Sequence, residues 1–293
     1  MDPLTRSAQI IPHRRPMNRF QHQQFTFWHY VRRQYTRLSQ CFWGRIVFVL
    51  ILFVTVESPA HAELVTLYSG SGLPSAEPWL VYGFDSVTGA SQTNVAGGVR
   101  LVTDETTRAG YSNYNVIPTT ALKNPAFPSL NRANGFELSF SLALTGESHT
   151  SNDRAGFSVI LLGSDAKGIE LGFWQNEIWA QNAGFIHGEG IAFNTVPTQD
   201  YKLRIVNDNY TLSQGANQLL TGNLRSYGSS QPYSLSNYIF LGDNTTSAQA
   251  NALIGAIKLE SNLASVPEPS TFILLGSAAI ALRGLRFLRR PRA

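Results

Sequence analysis

Hydrophobic and polar residues alternate over short segments between residues 63 and 263, and no helical period is sustained there. Such alternation places the apolar side chains on one face of a β-strand. Glycine, asparagine, aspartate, serine and proline separate the segments, and these residues favour turns. The pattern therefore predicts an antiparallel all-β domain. The predicted strands are ELVTLY (63–68), WLVYGFD (79–85), GVRLVTD (98–104), FELSFSLAL (136–144), GFSVILLG (156–163), IELGFW (169–174), EIWAQ (177–181), YKLRIV (201–206), YTLS (210–213), YIFLGD (238–243) and GAIKLES (255–261).

The number of strands favours a two-sheet β-sandwich or jelly roll, because many short strands in about 200 residues close around one core. Within residues 134–261, NGFELSFSLAL and AGFSVILLG lead to the hairpin GIELGFWQNEIWAQN, then to YKLRIV and finally to YIFLGD and GAIKLES. This order resembles the second half of concanavalin A-like and laminin-G-like jelly rolls. The resemblance implies two curved sheets, with the last strand beside an early one. Residues 63–133 are then expected to supply edge strands and loops.

A short apolar run precedes the β region. Four arginines, an apolar stretch at residues 46–56 and small residues at Ala60 and Ala62 match the three parts of a secretory signal. We therefore expect signal peptidase to cleave after Ala62, which makes residues 1–62 a signal peptide with an extended basic region. The alternative is an uncleaved membrane anchor, but so short an apolar stretch does not span a bilayer unaided.

A second apolar run follows the β region. Pro267 and Pro269 exclude a regular helix, so residues 264–271 are predicted to form an extended linker. Segment 272–293 is predicted to form a short membrane helix, and its part from Phe272 to Leu288 is about 25 Å long against a hydrocarbon core of ~30 Å. The arginines toward its end favour the cytoplasmic side of the inner membrane. The predicted β-sandwich would then lie outside.

The combination of VPEPST (266–271), FILLGSAAIAL (272–282) and RGLRFLRR (283–290) resembles the PEP-CTERM sorting signal. The resemblance implies a Gram-negative bacterium, a transient inner-membrane intermediate and recognition by an exosortase. In such signals Pro267, Glu268 and Pro269 are the sorting motif and have no catalytic role. Cleavage near the motif then transfers the protein to the cell surface or extracellular matrix, where such systems accompany exopolysaccharide and biofilm formation. The alternative is a plain C-terminal membrane anchor.

The charge distribution argues against nucleic-acid binding. The whole chain carries a formal net charge of +4. Residues 63–265, however, hold 10 basic and 16 acidic side chains, a net charge of −6. The positive excess therefore lies in the two ends, and the predicted domain lacks the basic surface that a nucleic-acid partner requires.

The one cysteine, Cys41, precedes the apolar stretch of residues 46–56. A lipidated bacterial cysteine would follow such a stretch. If residues 1–62 are removed, the remaining chain contains no cysteine, which excludes a disulfide, a thiolate metal site and a cysteine nucleophile.

The hairpin of residues 169–181 offers a candidate ligand site. If residues 175–176 form the turn, Gly172 faces Trp179 across the hairpin. The core face would then carry Ile169, Leu171, Phe173, Ile178 and Ala180. The other face would carry Glu170, Trp174, Glu177, Trp179 and Gln181.

Two hypotheses fit that second face. Sugar rings stack on indole through their C–H faces while their hydroxyls bond to carboxylates and amides, so the residues suit a carbohydrate platform. The alternative is that AGFIHGEGIAF (183–193) or the N-terminal segment covers both tryptophans.

Glu170 and Glu177 also raise an enzyme hypothesis. Glycosidases use two carboxyl groups about 5–10 Å apart, one of them with a raised pKa. Jelly-roll glucanases carry Glu-x-Asp-x-x-Glu or Glu-x-Asp-x-Glu on one strand. Here Gly172 stands where the aspartate is required, and this departure argues against catalysis.

Candidate metal ligands are sparse. His187 and Glu189 lie in a glycine-rich segment that also reads as a polar turn. Asp243 and Asn244 offer oxygens for calcium, as in some laminin-G-like domains, or form an Asx turn after a strand. No other cofactor is predicted.

The sequence thus predicts an exported protein of the cell surface or extracellular matrix. Its β-sandwich is expected to bind carbohydrate, namely exopolysaccharide, or to act as a structural part of a biofilm. The alternative function is a secreted glycoside hydrolase or lyase that uses Glu170 and Glu177.

Overall fold

The computed structural model describes residues 62–83, 89–115 and 120–263. The chain divides into two units, Met1–Ser58 and Pro59–Ala293, and every described residue falls in the second. The predicted signal peptide, the linker at 264–271 and the C-terminal helix lie outside the described residues. Among the helices that the structure does describe, none combines the length and the apolar character needed to cross a membrane.

The described chain is almost entirely β-strand, with one short 3₁₀ turn at Pro74–Ala76. Strand formation follows the predicted alternation of apolar and polar residues. In chain order the strands are β1 (Glu63–Tyr68), β2 (Val81–Tyr82), β3 (Ser91–Val95), β4 (Gly98–Val102), β5 (Ala109–Ser112), β6 (Tyr114–Asn115), β7 (Ala121–Leu122), β8 (Phe136–His149), β9 (Phe157–Leu162), β10 (Gly168–Phe173), β11 (Glu177–Gln181), β12 (His187–Ala192), β13 (Gln199–Val206), β14 (Asn209–Gln214), β15 (Asn217–Asn223), β16 (Ile239–Asp243) and β17 (Ala248–Ser261).

Two antiparallel sheets form a sandwich, as predicted. The first, sheet A, has the order β15-β14-β13-β8-β17-β4-β3, and β1 also pairs with β17. The second, sheet B, has the order β12-β11-β10-β9-β16-β5-β2. The last strand, β17, lies between the early strands β8 and β4, which matches the jelly-roll expectation.

Several strands differ from the sequence prediction. Strands β1 and β11 have the predicted bounds, whereas β8 and β17 extend to 14 residues each. The prediction missed six strands, namely β3, β5, β6, β7, β12 and β15. Three of these, β3, β12 and β15, have the sequences SQTNV, HGEGIA and NQLLTGN, which lack a regular apolar alternation. All three lie at sheet edges, where one neighbouring strand supplies the hydrogen bonds and a buried face is not required. Residues 63–133 were expected to supply edge strands and loops, but β4 and β5 from this region lie inside the sheets.

The main core fills the space between the sheets, where the apolar faces of both meet. A second, smaller apolar cluster covers the outer face of sheet B. Strands β9 and β10 are therefore buried along their whole length, although only one of their faces contacts the main core. The residues of the second cluster are Ile160, Leu162, Tyr227, Tyr238 and Phe240, with Tyr114, Phe185, Tyr233 and Leu235 packed against them.

The first and last residues of the sandwich lie next to each other, at one end of sheet A. Glu63, where the predicted signal peptide stops, pairs with Ser261, three residues before the predicted linker. At the other end of β17, Ala248 pairs with His149. The 14 residues of β17 separate these two ends, by roughly 40 Å at ~3.3 Å per residue.

Candidate functional site

The hairpin β10–β11 has the predicted register, with Gly172 opposite Trp179. Its predicted core face is confirmed, because all five apolar side chains are buried in the main core. Glu170, Trp179 and Gln181 lie on the outer face of sheet B and are buried there by other parts of the chain.

A cavity of about 180 Å³ opens on this outer face. It lies where β9 begins and β16 ends, so the hairpin supplies its floor and two loops supply its sides. Gly156, just before β9, meets the backbone of Gln249, which places the cavity toward the end of the sandwich opposite Glu63. The lining residues are Arg154, Ala155, Ser158, Glu170, Gln181, Phe185, Tyr233, Asn244 and Thr245.

Glu170 lies in the floor of the cavity and is 1% exposed. Tyr233 Oη donates to its Oε2 at 2.6 Å, and Asn244 Nδ2 donates to its Oε1 at 2.7 Å. Burial raises the pKa of Glu170, and hydrogen bonds from Tyr233, Asn244 and Ser158 offset part of that rise. Glu170 is thus a carboxyl group that accepts hydrogen bonds from neutral donors and is buried where the ionised form is disfavoured.

Three aromatic rings form a wall beside Glu170. Phe185 packs against Tyr227 and Tyr233, with ring centroids 5.8 and 5.0 Å apart. Phe185 has a φ of 61°, which is uncommon for a bulky side chain and costs conformational energy. The tight turn at residues 182–186 holds this conformation through a backbone hydrogen bond from Phe185 to Asn182.

Gln181 contributes the second polar group of the floor and is 6% exposed. Its backbone carbonyl accepts a hydrogen bond from Tyr227 Oη at 2.8 Å. Within the described residues its side-chain amide has no hydrogen-bonding partner, although it lines the cavity. The amide is not among the enclosed polar atoms that lack a partner, so it is accessible from the cavity, where a polar ligand can form a hydrogen bond with it.

Arg154 stands at the side of the cavity. Its Nη1 lies 3.4 Å from Asp153 Oδ2 and donates to the Phe185 carbonyl at 3.1 Å. The Arg154 carbonyl in turn accepts a hydrogen bond from Trp174 Nε1 at 2.8 Å. These contacts connect the loop before β9 to the aromatic wall and to the hairpin.

The two tryptophans do not form an open platform. Trp179 is fully buried, and the His187 ring stacks on it with centroids 4.5 Å apart. Gly172 permits this packing, since a Cβ there would lie 2.6 Å from the indole. His187 belongs to the segment 183–193, so for Trp179 the covering alternative is correct. Trp174 is half-buried and stacks on His149 at 4.2 Å.

Glu170 and Glu177 have different surroundings. Glu177 Oε1 lies 3.1 Å from His187 Nε2, and Glu177 does not line the cavity. The enzyme hypothesis requires two carboxyl groups that face one cavity. Glu170 and Glu177 do not form such a pair, because only Glu170 lines the cavity.

The candidate metal ligands form other contacts. Glu189 accepts a hydrogen bond from Tyr210 and pairs with Arg225. Asp243 is buried between the sheets, where it accepts hydrogen bonds from Thr103 Oγ1 and from the backbone of Thr245. The second bond is the Asx turn that the sequence offered as an alternative to calcium.

Asn244, the other calcium candidate, directs its amide nitrogen to Glu170. Across the described residues, no group of three or more histidine, cysteine, aspartate or glutamate side chains is placed to hold a metal ion.

Sequence reasoning found Glu170 and Gln181 but missed the aromatic wall and the Glu170–Tyr233–Asn244 network. These residues come from loops that lie far apart in the sequence. The available signal was the cluster of tyrosines at 227–238 in a segment otherwise rich in serine and glycine. Aromatic residues in such a loop indicate packing onto an adjacent surface.

Residues 265–290 match the PEP-CTERM protein-sorting motif, which confirms the resemblance found in the sequence. The motif indicates an exported protein that is held transiently at the membrane before it reaches the cell surface. No curated protein shows significant similarity to the chain.

Solved structures with a similar fold include a carbohydrate esterase from the Shiga toxin-encoding bacteriophage phi24B. It is 13% identical, covers 68% of this chain and 100% of its own, and has a TM-score of 0.45. Domain 4 of the extracellular GH43 arabinanase AbnA from Geobacillus stearothermophilus, solved with arabinotriose, is 11% identical, with coverages of 69% and 93% and a TM-score of 0.41. The carbohydrate-binding module CBM66 from Bacillus subtilis is 8% identical, with coverages of 67% and 94% and a TM-score of 0.33.

Proposed function

We propose that this chain is a carbohydrate-binding protein of the cell surface or extracellular matrix, and that the cavity around Glu170 binds one sugar residue of an extracellular polysaccharide. The observation that carries the proposal is the side-chain amide of Gln181, which is accessible in the cavity and makes no hydrogen bond within the described residues. Beside it lie the Glu170 carboxyl group and the Phe185 ring. Sugar sites combine such polar groups with an aromatic surface.

The proposed route to the cell surface or extracellular matrix follows from the two ends of the chain. Signal peptidase is proposed to cleave after Ala62, and an exosortase to process the chain at Pro267, Glu268 and Pro269. The sandwich spans residues 63–263 in this proposal. Because Glu63 and Ser261 pair at one end of sheet A, both processed ends emerge together, and the cavity lies toward the opposite end. The domain would thus present its cavity away from its attachment point.

Under this proposal the candidate residues of the hairpin divide into direct contacts and supporting residues. Glu170 and Gln181 contact the sugar directly from the floor. Trp174 holds the loop before β9, at the side of the cavity, through its hydrogen bond to the Arg154 carbonyl. Trp179 and Glu177 support the hairpin through His187, which stacks on the first and pairs with the second.

Binding of the purified protein to a panel of bacterial polysaccharides tests the proposal. Gln181→Leu and Phe185→Ala should each weaken saturable binding at least tenfold, because the first removes the amide of the floor and the second removes a ring of the aromatic wall. Leu64→Ala is the matched control, since Leu64 is 64% exposed on β1 and lies outside the cavity. Saturable binding that survives both cavity variants would contradict the proposal, and so would an absence of binding to every polysaccharide.

A glycoside hydrolase or lyase is the second candidate, and the raised pKa of buried Glu170 favours it, because a general acid must hold its proton near neutral pH. Release of sugar from the bound polysaccharide, abolished by Glu170→Gln, would establish the enzyme. Binding without release would establish the binding module.

A further inference from the structure

Both ring nitrogens of His187 face oxygen acceptors. Nδ1 lies 2.9 Å from the Gly188 carbonyl oxygen, and Nε2 lies 3.1 Å from Glu177 Oε1. A neutral imidazole carries a proton on one of its two nitrogens, whereas the imidazolium ion carries a proton on both. A neutral ring would therefore direct a lone pair at one of these oxygens, and the charged ring directs none. The surroundings of His187 thus fit its protonated form.

The two indole rings beside His187 favour the same form. Trp179 stacks on the imidazole with ring centroids 4.5 Å apart and an angle of 16° between the planes, and the Trp174 centroid lies 5.4 Å away. The faces of aromatic rings attract cations within about 6 Å. The side chains of His187 and Glu177 are 24% and 29% exposed. The pair therefore reaches water, with which His187 can exchange its proton.

The other charged side chains around His187 belong to ion pairs of their own. These pairs are His149 with Glu147 beyond Trp174, Glu189 with Arg225 at β12, and Arg154 with Asp153 at the cavity. The Glu177 carboxylate is the ion-pair partner of His187. A change in the protonation of His187 therefore acts first on this contact, which becomes repulsive when Nε2 has lost its proton.

His187 is connected to the cavity through the chain itself. It begins β12, an edge strand that is hydrogen-bonded to β11, and it follows Phe185 of the aromatic wall by two residues. Phe185 has a φ of 61°, and such strained conformations persist only where surrounding contacts hold them. The position of the Phe185 ring therefore depends on how firmly the start of β12 is held.

The covering of Trp179 has a cost of its own. Its Nε1 is enclosed and has no hydrogen-bond partner within the described residues. A buried donor without a partner destabilises the arrangement that buries it. The strain at Phe185 and the unpaired donor of Trp179 thus both oppose the observed position of β12, and the contacts of protonated His187 offset them.

We propose that His187 is a positioning residue for the cavity: its protonated ring holds the start of β12 over Trp179 and keeps Phe185 in the aromatic wall, and its deprotonation loosens both. This inference rests on the proposed carbohydrate-binding function and adds its regulation by pH. Histidine titrates between about pH 5 and 8, so glycan binding should be stronger at mildly acidic pH. Ion pairs that reach water are weak, so the expected change in affinity is about two- to fivefold.

NMR spectra of the ¹⁵N-labelled full-length protein between about pH 5.5 and 8.5 test the inference without any sugar. The ring nitrogens of His187, assigned with His187→Gln, should change from the doubly protonated to the neutral form as the pH rises. The backbone amide resonance of Phe185 should move with the same midpoint. In Glu177→Gln the new amide can donate a hydrogen bond to the neutral ring, so this movement of Phe185 should be lost.

Binding of soluble dextran, alginate and cello-oligosaccharides at the same two pH limits tests the consequence for the cavity. A glycan that binds should do so about two- to fivefold more weakly at the higher pH, and Glu177→Gln should reduce this difference. Glu170 titrates inside the cavity and contributes a pH dependence of its own, which the variant retains. Glu105→Gln is the matched control, because Glu105 is exposed and lies outside the cavity, and it should keep the full difference.

The outcomes separate the two proposals. A Phe185 resonance that does not follow His187, or that follows it equally in Glu177→Gln, would overturn the inference and leave the proposed function intact. Failure of these glycans and of all polysaccharides to bind at either pH would overturn the proposed function, and its regulation with it. The comparison of His187 with Phe185 in the unaltered protein decides the inference even if Glu177→Gln does not fold.

Discussion

Tyr233 donates a hydrogen bond of 2.6 Å to the buried carboxyl group of Glu170, and so connects a loop between β15 and β16 to the centre of sheet B. The same phenol accepts a hydrogen bond from Asn244. A single hydroxyl group thereby joins three of the segments that line the cavity. The contact has consequences for both stability and binding.

Replacing Tyr233 with phenylalanine removes this bond without changing the packing of the ring. Glu170 then loses one of the donors that hold its pKa down, so its pKa should rise further. Loss of a hydrogen bond to a carboxyl group costs about 1.5–3 kcal/mol of unfolding free energy, measurable by denaturant titration. Tyr114→Phe is the comparison, because Tyr114 donates to the neutral carbonyl of Ser236 and should cost only about 1 kcal/mol. Equal losses in the two variants would contradict the special role of Glu170.

Asp243 gives the fold a dependence on pH. Burial between the sheets raises the pKa of Asp243 from 3.8 to about 8. The folded chain thus keeps a proton that the unfolded chain releases, and stability present below pH 3.8 is lost as the pH rises toward 8. The unfolding free energy should fall between pH 4 and 8, with a contribution approaching ~1.4 kcal/mol per pH unit.

Asp243→Asn should flatten that dependence in denaturant titrations at several pH values, because asparagine does not titrate and still accepts a hydrogen bond from Thr103. Glu170, whose pKa is also raised, acts in the same direction and should leave a residual slope. A slope unchanged by Asp243→Asn would show that another group controls it.

His187 shields Trp179 from water. His187→Ala should expose the indole, shift its fluorescence emission to longer wavelength and cost about 1 kcal/mol of stability through the lost stack. His149→Ala removes the ring that stacks on Trp174, which is already half-buried, and should produce a smaller shift. An emission maximum that does not move in His187→Ala would mean that Trp179 is covered by other groups.

Lys123 fixes the loop before β2. Its ammonium group donates to the carbonyls of Ser75, Glu77 and Leu80 at 2.9, 2.7 and 2.7 Å. Lys123→Met leaves these carbonyls without their donor and should lower the unfolding free energy by about 2–3 kcal/mol. Lys258→Met, on the exposed side of β17, should change it by less than about 0.5 kcal/mol. Similar melting temperatures for the two variants would contradict this role.

The sequence pattern predicted the sandwich and the hairpin because alternation along a strand decides which side chains enter the core. It predicted the inward face of β10–β11 and the presence of Glu170 and Gln181 on the other face. It did not predict that this other face is buried, because the residues that cover it come from loops. Phe185, Tyr227 and Tyr233 reach sheet B only after the chain has folded, and no local period encodes that contact.

The tryptophans illustrate the same limit. Alternation placed Trp179 on the outer face, and outer faces are commonly solvated in antiparallel sheets. The stack with His187 depends on β12, a polar and glycine-containing edge strand that lacks a strand pattern in the sequence. The burial of Trp179 was therefore decided by pairing between strands and not by its own segment.

The side-chain amide of Gln181 offers the most direct measurement of the central claim, which is that the cavity binds a sugar. In NMR spectra of the ¹⁵N-labelled protein, the Gln181 side-chain resonances, assigned with Gln181→Leu, should move in a saturable way as glycan is added. Exposed side-chain amides such as that of Gln231 should stay in place. Saturable glycan binding that leaves the Gln181 resonances unmoved would contradict the account.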